Sequence, residues 1–161
     1  MEYEIRSCTR RCAATDRELA PGEAFYSVLV QQGAELVRKD YSEQGWQGPP
    51  EGAIGWWKSR MPDPRTGKPT WAPNDVMLDL LEQLAEQPEK ADMRFVLALL
   101  LVRRRVVRHD ESLCDPQGGE VMVLCCPRRQ TTYRVPVVMP DETRTQQIQD
   151  ELAKLLFTGA T

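Results

Sequence analysis

The sequence lacks any apolar run long enough to cross a bilayer, which takes about 20 residues. Its longest such run, Phe95–Val102, is short and ends at three arginines, Arg103–Arg105. A helix that is apolar on every side is a buried one, so we expect this run to be the central core helix of a globular protein that does not enter a membrane. A buried, unpaired carboxylate is costly, and Leu99→Asp or Leu100→Asp is therefore expected to unfold the protein.

The first residues of the sequence are charged and carry no apolar stretch like that of a secretory signal, so we do not expect export. Cysteine is odd in number, and Cys125 and Cys126 are adjacent, so the thiols cannot all pair within the chain. Both features favour a reducing compartment, and we expect a cytoplasmic protein. The net charge of −3 disfavours nucleic-acid binding through the overall field but leaves room for a local basic patch.

No motif of catalysis or nucleotide binding stands out. The glycines from Gly45 to Gly55 are irregularly spaced and precede no predicted helix, unlike those of a phosphate-binding loop. The one histidine, His109, lies close to Ser112 and Cys114, but residues this near in sequence on a strand rarely align as a nucleophile and its base. We therefore expect a noncatalytic protein.

The pattern of apolar and turn residues predicts an α+β fold in one compact domain, residues 1–161. Residues 1–60 are expected to be rich in strands: Tyr3–Ser7, Ala24–Val30, Glu35–Lys39 and Ile54–Arg60. The second and third of these form a hairpin around Gln32 and Gly33. Residues 61–73 are polar and rich in turn formers, which predicts an exposed loop.

Residues 74–157 have the pattern ααβ(β)βα. Two amphipathic helices, one beginning at Asn74 or Asp75 and one at Asp141–Leu156, flank the buried helix that starts at Ala91. The strands form an antiparallel meander, and Pro136 suits an edge strand. We expect the hairpin portion and the meander to pack on the buried central helix.

All four tryptophans lie between Gln44 and Asn74, in a segment rich in glycine and proline. Aromatic side chains held in such a segment make rigid grooves that bind peptides or stack bases. The candidate surface of this protein-interaction module consists of Trp46, Trp56, Trp57, Lys58 and Arg60. Because Trp56 and Trp57 are neighbours on a predicted strand, they point to opposite faces, and at least one belongs to the core.

Cys8 and Cys12 precede a Pro–Gly turn and are spaced like half of a zinc ribbon, but no second pair of this kind follows. An alternative hypothesis is a zinc-stabilised module that contacts nucleic acid or another anionic partner through arginines. The candidate anion ligands are Arg103, Arg104, Arg105, Arg128 and Arg129. Arginines in such places also commonly pair with acidic residues or stay solvated.

Several segments in their order along the chain resemble a family of uncharacterised bacterial proteins of about this size. They are the C-x3-C pair, LAPGEAFYSVL, RKDYSEQGW, GWWKSR, FVLALLLVRRRVV and IQDELAKLL. The resemblance covers nearly the whole chain and implies a single bacterial cytosolic domain. It implies no activity and assigns no functional residue.

Overall fold

The computed structural model of the chain describes residues 11–33, 35–61 and 70–158. Within these ranges the chain forms three α-helices and eight β-strands, which confirms the α+β prediction. The predicted strand Tyr3–Ser7 and the candidate ligand Cys8 lie outside the described residues. No helix in these ranges combines the length and apolar character needed to span a membrane.

Contacts along the chain divide it into two compact units. The first unit comprises Met1–Leu80 and Asp150–Thr161, and the second comprises Leu81–Gln149. Helices α1 (Asn74–Leu84) and α3 (Glu142–Leu156) each contain one of the unit boundaries. The single domain of residues 1–161 stays a prediction.

The first unit contains an antiparallel sheet of β1 (Ala24–Gln32), β2 (Glu35–Ser42) and β3 (Ala53–Arg60), in the order β2-β1-β3. The predicted hairpin is confirmed, since Gln32 pairs with Glu35 across the turn. Gly33 has a φ of 60° there, a backbone conformation that glycine adopts without steric cost. The central strand β1 is rich in the aromatic and β-branched residues that favour strands.

A second, two-residue pairing in the first unit joins β4 (Thr70–Trp71) to β8 (Phe157–Thr158). The Trp71 and Phe157 rings meet edge to face, with centroids 5.2 Å apart. Met61 and Ala72, at the two ends of the predicted exposed loop, are buried, so the prediction is wrong there. Residues 62–69 of that loop lie outside the described residues.

The second unit contains the predicted antiparallel meander: β5 (Arg108–Cys114), β6 (Glu120–Cys126) and β7 (Thr131–Pro136). It forms a sheet separate from that of the hairpin, in the order β5-β6-β7. Pro136 is confirmed on an edge strand, where its missing N–H costs no ladder hydrogen bond. Helix α2 (Ala91–Arg103) packs against β7.

Helix α2 is not buried on every side, so that prediction is wrong. Phe95, Leu97 and Leu101 are buried, whereas the Leu99 side chain is 44% exposed. Val96 and Leu100, which lie three residues before and one residue after Leu99, are only half-buried. The helix packs one face on the sheet, and an apolar residue on the opposite face has no core to enter.

Candidate functional site

The register of the hairpin sheet places several aromatic residues on one face. Tyr26 on β1 lies opposite Tyr41 on β2 and Lys58 on β3. Directly opposite residues of an antiparallel pair project from the same face, and Trp56 joins them because it is two residues before Lys58. Trp46, which follows β2, stacks on Tyr26. We call Tyr26, Tyr41, Trp46, Trp56 and Lys58 the aromatic face.

The rings of the aromatic face pack on one another. Tyr26 and Trp46 are parallel within 5°, with centroids 4.9 Å apart. The Trp56 ring is tilted against both, 6.0 Å from Tyr26 and 5.6 Å from Trp46. Tyr41 lies 5.5 Å from Trp46, and the Lys58 ammonium lies 5.4 Å from the Tyr26 centroid. Such contacts stabilise ring pairs beyond simple burial, so the rings form a preorganised surface.

Trp56 is the most solvent-accessible ring of this surface. Its side chain is 46% exposed, while Tyr26 and Trp46 are half-buried. The Lys58 ammonium lies beside the Trp56 position on the same strand and 3.7 Å from a Glu43 carboxylate oxygen. A large exposed aromatic side chain beside charged groups is typical of an interaction site.

Trp57 faces the other side of the sheet and is buried, which confirms that one of the paired tryptophans belongs to the core. The Arg38 guanidinium lies 5.2 Å above its ring. The same guanidinium donates to Asp40 Oδ1 at 3.1 Å and to the Phe157 carbonyl at 2.8 Å. Trp57 is therefore not part of the candidate surface, contrary to the prediction.

Arg60 shares the side of β3 that carries Trp56 and Lys58, because it follows at even spacing. Its guanidinium donates to the Gly22 carbonyl at 3.1 Å, which links the end of β3 to the turn before β1. Tyr26 and Tyr41 are the members of the aromatic face that the predicted surface did not include. The sequence of β1 does not alternate clearly, so it carried no simple signal for the face on which Tyr26 lies.

A cleft of about 480 Å³ adjoins Trp56. Its walls include Pro49, Pro50 and Val76, and Gly55 forms part of its base. A Cβ atom at Gly55 would lie 3.3 Å from Val76 Cγ1, closer than side chains usually approach. Glycine at this position therefore lets helix α1 pack tightly against β3 beside Trp56.

No protein-family model, no curated protein and no solved structure matches this chain. The resemblance to a bacterial family stays a prediction.

Cys12 is buried in a cluster with Leu19, Phe25 and Met61. Burial raises the pKa of its thiol, but hydrogen bonds with Ser42 and Thr15 outweigh this and lower the pKa to about 6. The Ser42 hydroxyl lies 3.4 Å from the sulfur. Thiolate is the metal-binding form of cysteine, yet this sulfur is surrounded mainly by apolar side chains.

Cys114, Cys125, Cys126 or His109 would have to complete a zinc shell with Cys8 and Cys12. In the described ranges no group of three or more His, Cys, Asp or Glu side chains could hold a metal ion. Cys114 is exposed, Cys125 is half-buried and Cys126 is buried, and all three are free thiols. Because Cys8 lies outside the described residues, the zinc hypothesis stays a prediction.

The candidate arginines differ in what they contact. Arg129 forms an ion pair with Glu82, which also accepts a 2.7 Å hydrogen bond from the Tyr133 hydroxyl. The hydrogen bond with Tyr133 and the ion pair with Arg129 lower the pKa of Glu82. Burial, together with the bond to Glu82, raises the pKa of Tyr133 to about 12. Arg129 is thus already paired within the fold.

Arg103, Arg104 and Arg105 are exposed at the end of α2. They form no ion pair with any residue in the described part of the chain. Arg128 is also exposed, in the turn between β6 and β7. Arg129 is thus paired with an acid, whereas the three arginines at the helix end are exposed to solvent, and both outcomes were expected for such arginines.

His109 and Ser112 do meet, with Nε2 and Oγ 3.0 Å apart. A register shift between His109 and Glu111 leaves Asp110 as an extra residue, so His109 faces Leu124 and Ser112 faces Met122 on the same side of β6. All seven residues of β5 are exposed, so this pair is open to water. Its geometry favours a surface hydrogen bond over a catalytic pair.

Proposed function

We propose that this chain is a noncatalytic protein-interaction module that holds an extended, proline-containing peptide on the aromatic face. The observation that carries the proposal is the 46% exposure of Trp56 at the edge of a stacked ring cluster. Aromatic-lined grooves bind proline-rich segments because those segments are already extended and lose little entropy on binding.

The packing of the rings favours a peptide over nucleic-acid bases. A base stacks on an open ring face, but Tyr26 and Trp46 each cover one face of the other at 4.9 Å, and the Lys58 ammonium lies over the Tyr26 ring. A proline ring can pack instead on the exposed Trp56 ring, which is tilted against both of them. The net charge of −3 also disfavours a nucleic acid as the partner.

The chain itself brings proline close to this surface. Pro49 and Pro50 line the same cleft as Trp56. The cleft of about 480 Å³ thus lies beside Trp56, next to a peptide bound at this ring. Because the rings are held by mutual stacking, binding would order few additional side chains.

We further propose that the module works in the cytoplasm of a bacterium. The free thiols of Cys114 and Cys125 and the adjacent Cys126 support a reducing compartment.

Selection from a phage-displayed library of random peptides tests the proposal. Wild-type protein serves as the target, and the Trp56→Ala variant is used for counter-selection. We expect Trp56-dependent peptides to be enriched in proline, and synthetic copies to bind at least about tenfold more weakly to Trp56→Ala. Enriched peptides without proline, or no Trp56-dependent enrichment, would refute the proposal.

Two matched variants separate binding from folding. Met139→Ala removes another exposed apolar side chain, 80% accessible, and is expected to leave peptide affinity unchanged. Trp57→Ala removes a buried ring and is expected to lower the free energy of unfolding by about 3–5 kcal/mol. A single-stranded oligonucleotide that bound more tightly than the peptides, and also needed Trp56, would show a base-stacking surface instead.

A further inference from the structure

A second surface lies in the second unit, where α2 ends and β5 begins. Residues from the helix end, from the start of β5 and from the β6–β7 turn line a cleft of about 710 Å³: Val102, Arg105, Val107, Arg108, His109 and Pro127. None of these residues belongs to the aromatic face.

The charge around this cleft is strongly positive. Arg105 and Arg108 line it, and Arg103 and Arg104 immediately precede them in sequence. All four side chains are exposed, and none forms an ion pair with a residue in the ranges that the structure describes. The acidic residues Asp110 and Glu111 follow on β5 without pairing with them. These four guanidinium groups are therefore available to bind an anionic partner.

Arg105 occupies a backbone position that usually belongs to glycine. Its φ is 63°, in the left-handed region, directly after the end of α2. The Val106 amide donates to the Leu101 carbonyl at 2.9 Å, a bond typical of the helix ending in which glycine takes the left-handed position. Glycine would form this helix ending without backbone strain. Arginine at this position strains the backbone but places a charge in the cleft.

The surface next to the cleft is apolar. Val102 contributes to the lining, and Leu99, one turn earlier on α2, is 44% exposed. Residues three apart on a helix are neighbours, so the apolar surface continues from the cleft to Leu99 and on to the half-buried Val96. The arginines lie at one end of this strip.

We propose that the cleft and the adjoining strip of α2 bind an acidic peptide that also carries aliphatic side chains. Carboxylates would pair with Arg105 and Arg108, and aliphatic side chains would cover Val102 and Leu99. A phosphate backbone would satisfy the arginines but leave this apolar strip in water. The described lining also contains no tryptophan, tyrosine or phenylalanine, the rings on which bases stack best, and this favours a peptide.

The test uses a fluorescein-labelled amphipathic peptide composed of glutamate, leucine and alanine, with binding followed by fluorescence anisotropy. We expect saturable binding that weakens at least about tenfold with Arg105→Gly, Arg108→Gln or Leu99→Ser. Arg105→Gly is the sharpest variant, because glycine suits the backbone at this position and the fold is retained. A second peptide with serine in place of leucine is expected to bind weakly.

Arg134→Gln is the matched control, since Arg134 is an exposed arginine on β7 whose side chain has no ion pair in the described residues. It is expected to leave the affinity unchanged. The proposal fails if the peptide does not saturate, or if Arg134→Gln weakens binding as much as Arg105→Gly does. It also fails if duplex DNA or vesicles of anionic phospholipid bind more tightly than the peptide with the same dependence on Leu99.

Discussion

Asp40→Asn should strongly destabilise the sheet that carries the aromatic face. Asp40 lies on the buried side of β2, where its Oδ1 accepts hydrogen bonds from Ser27 Oγ at 2.7 Å and Arg38 Nε at 3.1 Å. The Asp40 side chain is fully buried, and that of Arg38 is 5% exposed. Asparagine keeps the shape and an acceptor for Ser27, but it removes the negative charge that faces the guanidinium.

The magnitude follows from the burial of the pair. Removing one partner of a buried ion pair leaves the other charge uncompensated and costs about 3–5 kcal/mol. The pair of Lys58 and Glu43 in the same unit is the matched control, because its side chains are 49% and 59% exposed. An exposed pair of this kind contributes at most about 1 kcal/mol, so Glu43→Gln should have a small effect.

Urea unfolding followed by tryptophan fluorescence measures both variants. With a slope of about 1–3 kcal/mol per molar urea, Asp40→Asn should lower the midpoint by about 2 M. Arg38→Met combined with Asp40→Leu should recover most of the loss, since apolar replacement of a whole buried pair is often neutral. The reasoning is refuted if Asp40→Asn and Glu43→Gln lower the free energy of unfolding by the same small amount.

Three further predictions test other parts of the fold. Leu99→Asp should leave the protein folded, whereas Leu97→Asp, at a fully buried position of α2, should unfold it, as circular dichroism will show. In a pH titration, the thiolate absorbance of wild-type protein, minus that of Cys12→Ser, should rise near pH 6. A rise only above pH 8 would contradict the prediction that hydrogen bonds lower the pKa of Cys12. The hydrogen bond from Arg144 lowers the pKa of Asp92, so the Asp92 carboxylate stabilises the fold at pH values above its usual pKa. In acid unfolding experiments, the difference in free energy of unfolding between wild-type protein and Asp92→Asn should therefore shrink below about pH 4. A difference that stays constant with pH would be inconsistent with this linkage.

The sequence predicts those elements of this fold whose pairing is local. The hairpin of β1 and β2 needs only strand-forming residues on both sides of a short turn at Gly33, and both are visible in the sequence. The pairing of Trp71 with Phe157 could not be predicted, because two-residue strands carry no periodic signal and their partners are far apart along the chain. The exposure of Leu99 could not be predicted either, because a uniformly apolar run does not show which side of the helix faces the core.

In the candidate site, too, only the features that depend on neighbouring residues could be predicted from the sequence. Alternation alone separates Trp56 from Trp57 by face, and the structure bears this out. The position of the Trp46 ring on Tyr26 depends on the turn after β2, which has no simple sequence signal. The contact between His109 and Ser112 depends on the extra residue at Asp110, since strict alternation would place the two side chains on opposite faces.

Arg105→Gly is expected to change stability and peptide binding in opposite directions. A left-handed conformation costs a residue with a Cβ atom about 1 kcal/mol relative to glycine, so Arg105→Gly should raise the free energy of unfolding by about that amount. The same change removes a charge from the cleft and should weaken binding of the acidic peptide. Residues that cost stability at a binding surface are expected to show such opposite effects. If Arg105→Gly instead lowers the urea midpoint, the guanidinium stabilises the end of α2, and its place in the cleft is structural.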